Sequence, residues 1–80
     1  MSDPNKEFAA VVAAKARVKN HPMCAKFEDV GGAYMVVYPA GDFLVDGVRV
    51  HYVSMGKRKA LEILLDKMER HWVESYPASR

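Results

Sequence analysis

SMGKRKALEILLDKMERHW, residues 54–72, contains the strongest periodic signal in the chain. At 3.6 residues per turn, Leu61, Leu64, Leu65, Met68 and Trp72 fall on one stripe, with Glu62, Asp66, Glu69 and Arg70 on the other side. This is the pattern of a helix lying on a core, and the residues before it must supply the surface it covers. Ser54 is placed to cap the helix. Ile63 lies opposite the leucine stripe on the helical wheel, so the pattern sends it to solvent.

Working upstream, the apolar runs shorten and their turn signals become dense. Met23 to Val30 and Ala33 to Tyr38 flank Gly31-Gly32, a two-residue hairpin signal. Pro39-Ala40-Gly41-Asp42 reads as a turn, and Asp46-Gly47 between Phe43–Val45 and Val48–Val53 reads as a second two-residue hairpin. The middle of the chain is therefore an antiparallel meander of three or four strands. Before it, Ser2 or Asp3 can cap a helix over residues 4–20, with Pro4 in its first turn and Asn20-His21-Pro22 as its stop. Phe8, Val11, Val12 and Val18 line one side of that helix. The fold class is α+β: helix, meander, helix, with both helices on one face of the sheet. Residues 1–80 form one domain, with 73–80 as a tail. The core is expected to hold Phe8, Val12, Phe27, Val36, Val50, Leu61, Leu64, Leu65 and Met68.

Two-residue turns fix register, because cross-strand partners share a face. The first hairpin then pairs Phe27 with Val36 and the second pairs Phe43 with Val50. Ala25, Phe27, Tyr34, Val36 and Tyr38 join Phe43, Val45, Val48, Val50 and Tyr52 under the helices. The opposite face carries Met35, Val37, Leu44 and Val53 as an apolar centre, rimmed by Lys26, Glu28, Arg49 and His51. Such a patch marks an interaction surface. Met35, Val37, Leu44, Arg49, His51 and Val53 are accordingly the candidate protein interface, for a second copy in a homodimer or for a host or regulatory protein.

A second candidate is the basic start of the last helix. Cations at that end oppose the helix dipole, at roughly 0.3–1 kcal/mol each. Lys57, Arg58 and Lys59 nevertheless stand there, and free backbone N–H groups beside them would suit a phosphate or carboxylate. Lys15, Arg17 and Lys19 in the first helix form a second basic strip, and they also complement the negative end of their own helix. Together these six residues are the candidate anion or nucleic-acid site.

Nothing in the pattern points to catalysis, a cofactor or a metal. His21, His51 and His71 lack ligand spacing, and Ser2, Ser54, Ser75 and Ser79 lie outside any nucleophile motif. The net charge of +2 falls well short of that expected for a protein bound mainly through phosphates. Cys24 is the only cysteine, which excludes an intrachain disulfide and fits a reducing, cytoplasmic setting. The run Phe8 to Ala14 is much shorter than the ~20 residues needed to span a bilayer, and the start of the chain has no basic leader region. No membrane association is expected.

The order of elements, with Lys57-Arg58-Lys59-Ala60 opening the final helix, is similar to that of the double-stranded RNA-binding domain family. There a lysine-rich run opens the last helix and meets phosphates across a groove. Leu61 stands where the family has a further lysine, Ile63, Leu64 and Leu65 replace its small alanines, and Gly31-Gly32-Ala33 replaces its Gly-Pro-x-His loop. By size and topology the chain also resembles small phage-encoded inhibitors of host machinery, including anti-CRISPR proteins. The leading expectation is a non-enzymatic protein-binding module, either such an inhibitor or a small regulatory factor. A nucleic-acid-binding domain is the alternative.

Overall fold

The computed structural model describes residues 4–75, in the order α1 (Pro4–Lys19), β1 (Lys26–Val30), β2 (Ala33–Ala40), β3 (Phe43–His51) and α2 (Lys57–Ser75). The fold is α+β, a three-stranded antiparallel sheet in the order β1-β2-β3, with one helix before it and one after it in the chain. Each element reverses the direction of the one before it, so α1 and α2 run side by side in the same sense. Arg58 reaches Glu7 near their starts at 3.7 Å, and His21 reaches Glu69 near their ends at 3.1 Å. The caps Ser2 and Asp3, and positions 76–80 of the expected tail, lie outside the described residues. The remainder of that tail is helical, because α2 continues to Ser75.

The first hairpin has the register read from its glycines, Phe27 opposite Val36 and Val30 opposite Ala33. Gly31 and Gly32 have φ of 61° and 73°, the pair of left-handed residues that a tight hairpin turn requires. The second hairpin differs from expectation. Its turn is Gly41-Asp42, with Ala40 opposite Phe43, so the sheet has three strands and Asp46-Gly47 is not a turn. Phe43 therefore does not pair with Val50, which lies opposite Tyr34. Gly47 is instead the extra residue of a β-bulge, since Val36 pairs with Val48 and Val37 with Asp46. Gly41, with φ of 66°, supplies the turn conformation in its place. A bulge and a two-residue turn have the same effect on parity. Val45 and Val48 share a face in either case, but of Phe43, Val45, Val48 and Val50 only Val48 and Val50 pack on the core. Phe43 and Val45 keep the same parity yet are 76% and 45% exposed, because they stand toward the Gly41-Asp42 turn, outside the buried cluster.

One buried cluster ties the layers together: Ala14 and Val18 of α1, Tyr34, Val36 and Tyr38 of β2, Val50 of β3, and Ala60, Leu61, Leu64 and Met68 of α2. Met23 joins it from the connection after α1, because β1 begins only at Lys26. Phe27 and Leu65 are half-buried against the cluster. Phe8 and Val12, expected in the core, are 71% and 49% exposed. The reason is helical phase: α1 buries the arc through Val11, Ala14 and Val18, and at 3.6 residues per turn Phe8 and Val12 lie roughly 90° and 130° from its centre. Ala14, having almost no side chain, lets that arc approach closely. Ile63 departs in the other direction, half-buried and packed on the core. Arg58, Glu69 and Trp72 mark the flank of α2 toward α1, and Ile63 lies on the other flank. A helix wedged between a neighbour and a sheet buries a wider arc than its leucines alone define.

The ends of the helices are settled by local hydrogen bonds. The N–H of Asn20 donates to the carbonyl of Ala16 and that of His21 to the carbonyl of Val18, which closes α1, and the N–H of Met23 donates to His21 Nδ1 at 3.1 Å, which holds the turn that follows. At α2 the expected cap Ser54 lies in the turn after β3. The Gly56 carbonyl instead accepts the first helical bond, from the N–H of Ala60.

Tyr34 lies at the centre, its ring against Phe27 and Tyr52 at centroid distances of 5.5 and 4.6 Å. It is fully buried, and among the described residues its hydroxyl has no hydrogen-bond partner. Burial pushes its phenol above the usual range, helped by Asp29 and Tyr52. An unpaired buried hydroxyl costs roughly 1–3 kcal/mol. Tyr34→Phe is therefore expected to stabilise the domain by about 1 kcal/mol. The measurement is the urea midpoint, which should rise at unchanged slope; a fall would mean the hydroxyl is satisfied.

Candidate functional site

The register assembles the outer side of the sheet row by row. Lys26, Val37 and Asp46 form one row, Glu28, Met35 and Arg49 the next, then Val30, Ala33 and His51, with Pro39 beside Leu44 at the far end. Cross-strand partners share a face, so five of the six candidate interface residues, Met35, Val37, Leu44, Arg49 and His51, come together. Val53 does not join them. β3 ends at His51, and Val53 sits 79% exposed in the following turn. Its Cγ2 fills the space where a side chain on Gly32 would go, 2.7 Å from an ideal Cβ.

Sequence reasoning missed Val30, Pro39 and Asp46 on this face. Asp46 was hidden by assignment to a turn, and Val30 and Pro39 would have followed from carrying the alternation to the strand ends. Along β2 every outward residue, Ala33, Met35, Val37 and Pro39, is apolar. Leu44 and Val30, on the flanking strands, are each 62% exposed. Arg49 lays its guanidinium on Met35, Nη2 to Sδ 3.4 Å, and Lys26 meets Glu28 at 3.5 Å. A shallow depression of about 410 Å³ runs between Glu28, Val30, Ala33, Met35, Arg49 and His51.

The six basic candidates do not form one strip. Lys57, Arg58 and Lys59 occupy the first turn of α2, which has no acidic residue of its own. Arg58 is held by Glu62 at 3.5 Å and Glu7 at 3.7 Å, two carboxylates that offset the cations' conflict with the helix dipole. Lys57 and Lys15 rest over the Tyr52 and Tyr34 rings, 5.5 and 5.7 Å from their centroids. Lys19 lies 6.0 Å from the centroid of Phe27. Arg17, exposed, lies about 160° around α1 from Lys15. What converges is smaller: Lys15, Lys57 and Arg58, together with the Glu7 carboxylate that pairs with Arg58, border a groove of about 460 Å³ floored by Phe8, Val11 and Val12.

Several other titratable groups make contacts within the fold. Tyr52 donates to Asp29 Oδ1 at 2.7 Å, tying the end of β3 to β1, and that bond pushes its phenol up. His71 stacks on Tyr38 at 4.6 Å, and burial raises the Tyr38 phenol. Burial also raises the Cys24 thiol, with Lys19 opposing it. Among the described residues no group of three or more His, Cys, Asp or Glu could hold a metal ion. No helix among them is long and apolar enough to cross a membrane. Compared with known proteins, the chain matches no protein-family model, no curated protein and no solved structure.

Proposed function

We propose that this chain is a non-enzymatic protein-binding module that docks through the open face of its sheet, as a phage-type (anti-CRISPR-like) inhibitor of host machinery or a small regulatory factor would. One observation carries the reading. The outward residues of the central strand, Ala33, Met35, Val37 and Pro39, are all apolar, and although Ala33 is buried, Met35, Val37 and Pro39 stay partly exposed and outside the buried cluster formed by the described residues. A strand with one face in water ordinarily alternates apolar and polar residues, and a strand apolar on both faces belongs between two layers. The polar groups stand at the flanks, Lys26 and Glu28 on β1 and Asp46, Arg49 and His51 on β3. An apolar centre with a charged rim is how protein interfaces are built.

The test is Val37→Glu, which puts a carboxylate at the middle of the face without entering the core. Association with a second copy or another protein should weaken by roughly 100-fold, read by light scattering and by affinity capture, while the circular dichroism spectrum stays unchanged. Equal behaviour of variant and parent would sink the reading. The rival use, nucleic-acid binding, draws on the convergence of Lys15, Lys57 and Arg58 at one groove. Its mark would be steep loss of binding with salt, abolished by alanine at Lys57, Arg58 and Lys59 together.

A further inference from the structure

The open face carries its charges in alternation. In the row through Val37, Lys26 stands on β1 and Asp46 on β3; in the next row, through Met35, Glu28 stands on β1 and Arg49 on β3. The pattern is plus–apolar–minus above minus–apolar–plus. We propose that this face pairs with the same face of a second copy about a two-fold axis running along β2, giving a homodimer of stacked sheets. The proposal rests on the reading of the open face as the docking surface.

The geometry follows from the symmetry. Turning a copy over about an axis along β2 lays its β1 over the other's β3 and keeps each row over itself, as an isologous contact demands. Lys26 then meets the second copy's Asp46, and Glu28 meets the second copy's Arg49. Met35 and Val37 meet their own counterparts on the axis. The strands of the two sheets stay nearly aligned, the arrangement in which sheet faces stack about 10 Å apart.

A foreign partner would have to present the inverse of this charge pattern, whereas the face turned over is already its own inverse. Within the chain, Arg49 and Asp46 have no ion-pair partner among the described residues, and Arg49 lies across Met35, in the row where the contact would form. A two-fold perpendicular to the strands also opposes unlike charges. It would, however, exchange the existing Lys26–Glu28 contact for an identical one between copies, so the axis along β2 is the one that brings β1 charges new partners.

Sedimentation velocity on the full chain at roughly 100 μM, where interfaces of ordinary size are populated, gives the test. The parent should sediment as a dimer, at twice the 9.0 kDa chain mass. Glu28→Arg and Arg49→Glu each place like charges opposite one another, and each should weaken the dimer by about 100-fold. Mixed together, the two variants should form a heterodimer, and the double variant should dimerise again. Loss in both single variants without recovery in the double variant would overturn the axis along β2. A monomeric parent would overturn self-pairing while leaving the docking face to be judged by Val37→Glu against other proteins. A dimer that persists in Val37→Glu as well as in both charge variants would overturn this proposal and the docking face together.

Discussion

Gly47→Ala is expected to destabilise the domain by about 2–3 kcal/mol, the penalty of forcing atoms into filled space. An ideal Cβ at Gly47 would stand 2.5 Å from the Val36 carbonyl oxygen and 2.7 and 2.8 Å from two carbons of the Tyr38 ring. The oxygen belongs to the ladder of the central strand and cannot swing aside. Tyr38 is buried and stacked on His71, so its ring has little freedom either. For a domain of 80 residues, with total stability of roughly 4–12 kcal/mol, the loss is a large share and should lower the melting temperature by roughly 10–20 °C. Gly47→Asn separates the two readings of Asp46-Gly47. Asparagine tolerates a left-handed turn position and would be mild in a hairpin, but at the bulge it brings the same Cβ and should be at least as damaging as alanine.

Leu64→Ala should cost about 3–4 kcal/mol. Leu64 has no exposed surface and sits among buried residues contributed by both helices and the sheet, so its loss opens a cavity between layers that cannot all collapse into it. Leu64→Met conserves volume and should cost less than about 1.5 kcal/mol. Chemical denaturation at constant slope measures both. Equal, small losses would place the structural centre of the domain elsewhere, beside Tyr34 and Phe27.

These two positions mark what could be read from the chain itself. Leu61, Leu64 and Met68 announced themselves by periodicity, because a helix with one wet side must repeat every three to four residues. The first hairpin was equally legible, since two adjacent glycines leave few other conformations worth having. Asp46-Gly47 misled because the dipeptide favours a tight turn, and only the ladder opposite, where Val36 and Val37 pair with Val48 and Asp46, decides between turn and bulge. The same blindness to tertiary context placed Phe8 and Val12 in the core. Their size predicts burial, yet the phase of α1 is set by Ala14 and Val18 against α2. For the candidate surfaces, alternation named Met35, Val37, Leu44, Arg49 and His51 together. It missed Asp46, and with it the alternating charge of the face. The basic residues could be counted from the sequence but not placed, because the carboxylates of Glu7 and Glu62 that hold Arg58 come from two different helices.

The side-by-side helices bear on how the chain comes off the ribosome. The meander is built of neighbours and can zip locally, but α1 packs chiefly on α2, the last element of the fold. At synthesis rates of roughly 5–20 residues per second, the arc of Val11, Ala14 and Val18 waits several seconds for its cover. The nascent domain cannot mature from its N-terminus forward, and its first helix is the segment that a chaperone would meet undressed.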